Sequence, residues 1–267
     1  MSIYNYYRKL NKKFDYIIIS HYHYDHIGGF LDLLDFAKDD CKIYLPATTE
    51  YYSGIKEADI SLNETLKSFN KSDDIKNLRP YLTNGYTEDE YRLVVLKIIE
   101  LKIKEEGIKY TKTEVEKNTI INFPTIDCNI TLFNSNEAAY KYYGTTIKDV
   151  YDRNYNNCSM CALVRNKNTY ALFPGDLEKY GQEFLISAKN ENRIELPRVA
   201  LYSIHHHGFE ADDCLEYINT IRPEYAVLPV NHIRMGDYRE DTDSMIANYA
   251  VENLFSTGYG ACEFVLG

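Results

Sequence analysis

At 267 residues, with 45% hydrophobic and 14% aromatic residues, the chain is long enough to bury a full core and too apolar to remain disordered. No run approaches the ~18 consecutive apolar residues that a membrane span needs, so no membrane partner is expected. A net charge of -10 disfavours broad adhesion to nucleic acid through the whole surface, although it leaves room for a local basic groove.

The opening MSIYNYYRKLNKKF has neither an apolar h-region nor a small-residue cleavage site. The expected compartment is therefore the cytoplasm. Tyr16-Ile17-Ile18-Ile19 is a short apolar, β-branched run that predicts a buried strand. Directly after it, His21, His23, Asp25 and His26 place four metal-ligand types within six residues, and Gly28-Gly29 allow a tight backbone turn beside them. Phe30 to Ala37 has the apolar spacing of a short helix, and Lys42 to Leu45 reads as a strand ending at Pro46. Strand, ligand loop, helix and strand follow the β-α-β pattern of a layered α/β fold.

Residues 47–118 are polar and lysine-rich and read as a partly helical insertion. One helix is expected from about Thr87 to Glu106, with Thr87 and Glu90 as a capping box and Gly107 as its stop. Its apolar face, including Tyr91, Val94, Val95, Ile98 and Ile99, favours packing on a core over service as a lid.

From Ile120 the pattern turns to strands: Ile130 to Phe133, Ser159 to Arg165, and Thr169 to Phe173, the last two joined by a hairpin turn at Asn166-Lys167-Asn168. Pro174-Gly175 ends the strand, Asp176 sits at its tip, and a helix of about a dozen residues should follow. Val199 to Ile204 is a further strand and delivers His205, His206 and His207. A helix near Asp212 to Thr220, a strand from Tyr225 to Val230, a loop carrying His232, a helix near Asp243 to Phe255 and a closing strand from Cys262 to Leu266 complete the expectation. No repeat or low-complexity linker divides the chain, which reads as a single domain over 1–267.

The six cysteines are scattered and do not form a disulfide framework. Cys158-Ser-Met-Cys161 has redox or zinc spacing, but it lies in a strand-like run without a second pair, so core packing is the favoured reading. The seven histidines, by contrast, fall in three places, all at expected strand ends. In His-x-His-x-Asp-His, His21 and His23 project one way while Asp25 and His26 turn toward a neighbouring position, which suits two ions. Asp176, from a distant strand end, is suited to bridge them, and one histidine of the 205–207 run would complete the second.

On these residues the chain resembles the metallo-β-lactamase superfamily, from about residue 10 to the end. His21-Tyr-His23-Tyr-Asp25-His26 is similar to its signature, Gly175-Asp176 looks like its bridging aspartate, and His206-His207-Gly208 resembles the HHG segment of the competence-protein ComEC-like branch. Asn157-Cys158-Ser159 and Thr257-Gly258-Tyr259-Gly260-Ala261 look like further elements of that branch.

The resemblance implies a four-layer αββα sandwich with two divalent metal ions, usually zinc and sometimes manganese or iron. His21 and His23 would hold the first ion, Asp25, His26 and His206 the second, and Asp176 both. His206 is chosen as the first histidine of the HHG element, with His205 and His207 as rivals. Many relatives add a histidine before the bridging aspartate, which this chain lacks, so that position would be open, water-filled or served by Asn157. Relatives also begin with strands and an Asp-x-Gly segment not seen here, so the fold is expected to lack its N-terminal strands and to pair with another copy through an exposed sheet edge.

The implied chemistry is hydrolysis by a water that two ions about 3.5–4 Å apart acidify from a pKa of ~15.7 toward neutrality. Asp25 would orient that water or accept its proton, and His232 would donate to a substrate oxygen. The expected substrate is a phosphodiester or other phosphoester, small molecule or nucleic acid, as for a phosphodiesterase or nuclease. The alternative is a truncated, inactive metal-binding or interaction domain.

Overall fold

In the computed structural model, residues 3–21, 24–46, 111–115, 118–133, 155–208, 214–230, 253–257 and 263–266 are described. The expected helix from Thr87 to Glu106 lies outside them, as do His23 and His232. The chain forms two compact units, Met1–Glu114 and Val115–Gly267. Both mix helices with sheet, and none of the described helices is long and apolar enough to cross a membrane.

In the first unit, helix α1 (Ile3–Leu10) precedes strand β1 (Phe14–Ile18), which pairs in parallel with β2 (Ala37–Pro46). The sheet order is β1-β2-β3, with β3 spanning Thr111–Val115. Along β2, Cys41, Ile43 and Leu45 are buried on one strand face, and Tyr44 on the other face is buried as well. Between β1 and β2 run the single turn α2 (Tyr24–Ile27) and α3 (Phe30–Leu34), whose Phe30, Leu31 and Leu34 are buried. The expected strand, ligand loop, helix and strand are therefore present. The helix is shorter than expected because Ala37 already belongs to β2. An edge-on contact of Tyr7 with Phe14, ring centroids 4.7 Å apart, fastens α1 to the start of β1, and Phe36 joins the same aromatic group. At the far end, the Ile19 amide donates to the Tyr44 carbonyl at 3.0 Å, so pairing with β2 continues to the residue before Ser20.

The second unit holds a seven-stranded sheet in the order β10-β9-β8-β7-β6-β5-β4. Strands β4 (Thr119–Phe123), β5 (Cys128–Phe133), β6 (Cys161–Asn166) and β7 (Thr169–Phe173) form an antiparallel meander. From β7 the pairing becomes parallel through β8 (Leu201–Ser203), β9 (Tyr225–Leu228) and β10 (Asn253–Ser256). The change of direction needs crossover helices, and α4 (Lys179–Asn190) and α5 (Leu215–Ile221) supply them. Their buried faces, Phe184 and Leu185 on one and Tyr217, Ile218 and Ile221 on the other, belong to one core with Leu172, Tyr202 and Leu228. Each such side chain contributes about 1.5–3 kcal/mol on burial.

The hairpin turn lies where expected, with Asn166 opposite Thr169 and Lys167 in the left-handed region at φ 53°. Several boundaries differ from the sequence reading. A turn at Tyr155–Cys158 delays β6 until Cys161, because Asn156, Asn157 and Ser159 use their side chains in hydrogen bonds elsewhere. Asn253–Ser256, expected to end a helix, is instead strand β10, in register with Tyr225–Leu228. A short apolar run has no periodicity to separate helix from strand, and an open neighbour in the sheet decides it. Residues 263–266 form no strand, yet the Leu266 carbonyl accepts from Asn166 Nδ2 at 2.6 Å and Phe264 packs on Phe255.

Candidate metal centre

In the first unit, the end of β1 hands the chain to Ser20 and His21. His21 is fully buried. The Ser20 hydroxyl lies 3.1 Å from His21 Nδ1 and 3.4 Å from His26 Nδ1, and the two rings sit 4.2 Å apart, tilted by 47°. One hydroxyl engages the Nδ1 atoms of both rings, which directs any coordination to their Nε2 atoms. That orientation by a neighbouring group is characteristic of ligating histidines. Asp25 and His26 share the turn α2, with Asp25 Oδ2 3.6 Å from His26 Nε2 and 58% of the Asp25 side chain exposed. Ser20 was not singled out from the sequence, because a serine beside a ligand motif carries no spacing signal.

The second unit builds its group on backbone shape. Gly175, at φ 63°, turns the chain after β7, and Asp176 follows almost fully buried. The Asp176 amide donates to Ser159 Oγ at 3.1 Å. After β8, His206 and His207 both adopt left-handed backbone conformations, with φ of 44° and 54°, before Gly208 at φ 74°. Two successive non-glycine residues in this region cost about 1–2 kcal/mol each, so the surrounding contacts must hold them there.

The three neighbouring histidines have different surroundings. His205 is buried, with Nδ1 2.8 Å from the Tyr202 hydroxyl. His206 Nε2 lies 3.2 Å from Asn156 Nδ2, and its Nδ1 lies 3.2 Å from Glu178 Oε1. Burial lowers the His206 pKa, but the hydrogen bond to Glu178 and the charges of Asp176 and Glu178 outweigh it and hold the group above its usual value. His207 Nδ1 lies 2.8 Å from the Pro229 carbonyl. A carbonyl only accepts, so Nδ1 carries the proton, and in the neutral ring Nε2 bears a lone pair. That Nε2 stands 3.7 Å from Asp176 Oδ1. Two electron-rich atoms at this distance are stabilised by a proton or a cation placed with them. The structure therefore brings His207, one of the two rivals, to the aspartate, while both ring nitrogens of His206 face Asn156 and Glu178.

Asn157 does not fill the place of a missing ligand. It is fully buried, and its Oδ1 accepts the Gly181 amide at 2.8 Å, near the start of α4. Cys161, also fully buried, has its thiol pushed up to about 12 by burial, as core packing requires.

Each unit thus holds its own imidazole and carboxylate donors with ligand atoms within 4.8 Å of each other, Asp25 with His26 in the first and Asp176 with His207 in the second. Neutral imidazole with carboxylate is the donor set of zinc and related divalent ions, and the hydrogen bonds on the remote ring nitrogens supply its usual outer support. The residues fit the group.

Residues 6–98 match the family model described as the Metallo-beta-lactamase superfamily, whose members are mostly hydrolases and typically bind divalent metals. The match covers roughly a third of the chain and includes the whole of Ser20 to Gly29. No curated protein matches the chain.

Proposed function

We propose that the chain is a metal-dependent hydrolase with an αββα fold, acting on a phosphodiester or other phosphoester. The observation that carries this reading is the pairing of buried Asp176 with a His207 ring whose proton is fixed on the remote nitrogen. The ligand candidates are His21, His23, Asp25 and His26 in the first unit and Asp176 and His207 in the second. Zinc suits this donor set best, with manganese or iron as the other candidates.

When bound, such ions supply Lewis acidity toward the attacked phosphorus group and acidify the attacking water. The chain's residues do the rest. Asp25, with more than half of its side chain exposed, accepts the proton that the water gives up as its oxygen attacks phosphorus. His232 would donate a proton to the leaving ester oxygen as its bond to phosphorus breaks. Ser20 keeps the His21 and His26 rings oriented, and Pro229 does the same for His207.

Metal analysis combined with turnover of bis-p-nitrophenyl phosphate, a lactam and a thioester tests the reading. The expected result is bound divalent metal with hydrolysis of the phosphodiester alone, abolished by His207→Ala and by Asp176→Ala. Turnover of the lactam or the thioester instead would overturn the substrate class. Metal without any turnover would favour an inactive binding domain. An absence of both would overturn the metal centre.

A further inference from the structure

Asn156, Glu178 and His206 form a polar group that the reaction just described does not use, and it lies against the strained turn that carries His207. Asn156 is buried, and its Nδ2 donates to Glu178 Oε1 at 2.7 Å. The same Nδ2 lies 3.2 Å from His206 Nε2, and Glu178 Oε1 lies 3.2 Å from His206 Nδ1, so a polar side-chain atom stands close to each ring nitrogen. The main chain adds a third tie, from the His206 amide to the Gly175 carbonyl at 3.2 Å. These ties converge on a residue with φ 44° and ψ 39°, followed by His207 at φ 54° and ψ 19°.

Left-handed backbone costs histidine more than it costs glycine, the residue that takes it next at Gly208. The side chain at position 206 is instead a handle: holding its ring holds the backbone whose next residue presents Nε2 to Asp176. The same short segment also reaches the other side of the pair. Ser159 Oγ receives the Asp176 amide, Asn157 Oδ1 receives the Gly181 amide at the start of α4, and the Ser159 amide returns to the Asn156 carbonyl at 2.9 Å. Residues 156–159 therefore fasten both the Asp176 loop and the histidine turn.

We propose that Asn156 and Glu178 are positioning residues that, by gripping His206, hold the left-handed turn in the shape that aims His207 at the metal beside Asp176. This rests on the metal-centre reading above. It accounts for a polar triad that is neither a ligand set nor part of the proton path, and for an unfavourable backbone kept at two successive histidines.

The test is Zn²⁺ affinity, measured on the full chain by competition with a chromophoric chelator, together with the visible absorption of the Co²⁺-loaded protein and the melting of the metal-free protein. Asn156→Ala and Glu178→Ala should weaken Zn²⁺ binding by about tenfold to a hundredfold and alter the Co²⁺ spectrum, with metal-free melting lowered by only a few degrees, as loss of a buried hydrogen bond requires. Glu178→Gln, which keeps an accepting oxygen, should stay within about threefold of the unaltered chain. His206→Gly, which suits the backbone but removes the handle, should lose affinity like the alanine variants, and it decides the matter if those do not fold. Unchanged affinity and spectrum in His206→Gly would overturn the positioning role while leaving the metal centre standing. No Zn²⁺ binding by the unaltered chain would overturn the metal centre and the positioning role together.

Discussion

The two groups of ligands achieve order by different means. Around His21 and His26 the support includes the Ser20 hydroxyl, and the Asp25 carboxylate beside His26 is 58% exposed. Around His207 the support is a strained main chain tied down by buried side chains, and the carboxylate beside it is 4% exposed. A solvated carboxylate can move and exchange protons, whereas a buried one is costly to leave without positive charge nearby. The second group should therefore dominate metal affinity, and the first should supply the adaptable acid-base chemistry.

The sharpest way to break this contrast is to remove Asp176. Asp176→Ala should eliminate metal retention on dialysis, whereas Asp25→Ala should retain measurable metal and lose mainly turnover, with metal content and kcat measured on the same samples. Equal loss of metal in both would erase the distinction. Gly181→Ala probes the rigid side through stability alone. A Cβ there would stand 2.1 Å from Leu177 Cδ1 and 3.1 Å from Asn157 Oδ1, and Leu177 is fully buried. Overpacking of this kind costs about 1–3 kcal/mol, more than the ~1 kcal/mol by which alanine favours a helix over glycine, so the melting temperature should fall by several degrees.

Ser20→Ala tests the other side. Loss of the hydroxyl shared by two imidazoles should weaken Zn²⁺ binding by about tenfold while leaving the metal-free melting temperature unchanged. The smallest expected effect is at Cys161. With its thiol pushed up to about 12, the neutral form prevails throughout the physiological range, and burial blocks access. In native protein at pH 8, iodoacetamide should modify the half-buried Cys128 and Cys214 before Cys161, as read by peptide mass spectrometry. Early labelling of Cys161 would show that the core beneath β6 opens readily.

How much could be read in advance followed from how far apart the partners lie along the chain. His21, Asp25 and His26 are contiguous, so a strand pattern followed by ligand types was enough to find them. Asp176 was recognisable as a residue at a strand tip after Pro174-Gly175. The histidine facing it was not, because three identical neighbours differ only in the backbone angles of a turn and in what each ring meets. Asn156 and Glu178 carried no motif that ties them to His206, since they lie 50 and 28 positions from it along the chain. Asn253–Ser256 was misread because strand identity there depends on β9 being available as a neighbour.

Hydrophobic alternation, turn residues and ligand spacing, all local properties of the chain, determined the strand-loop-helix-strand start, the β6–β7 hairpin and the donor chemistry of the site. Only the tertiary structure decided that His207 meets Asp176, that His206 is gripped by Asn156 and Glu178, and that Asn157 serves helix α4. Those assignments depend on hydrogen bonds between segments remote in sequence, and these form only when packing brings the segments together.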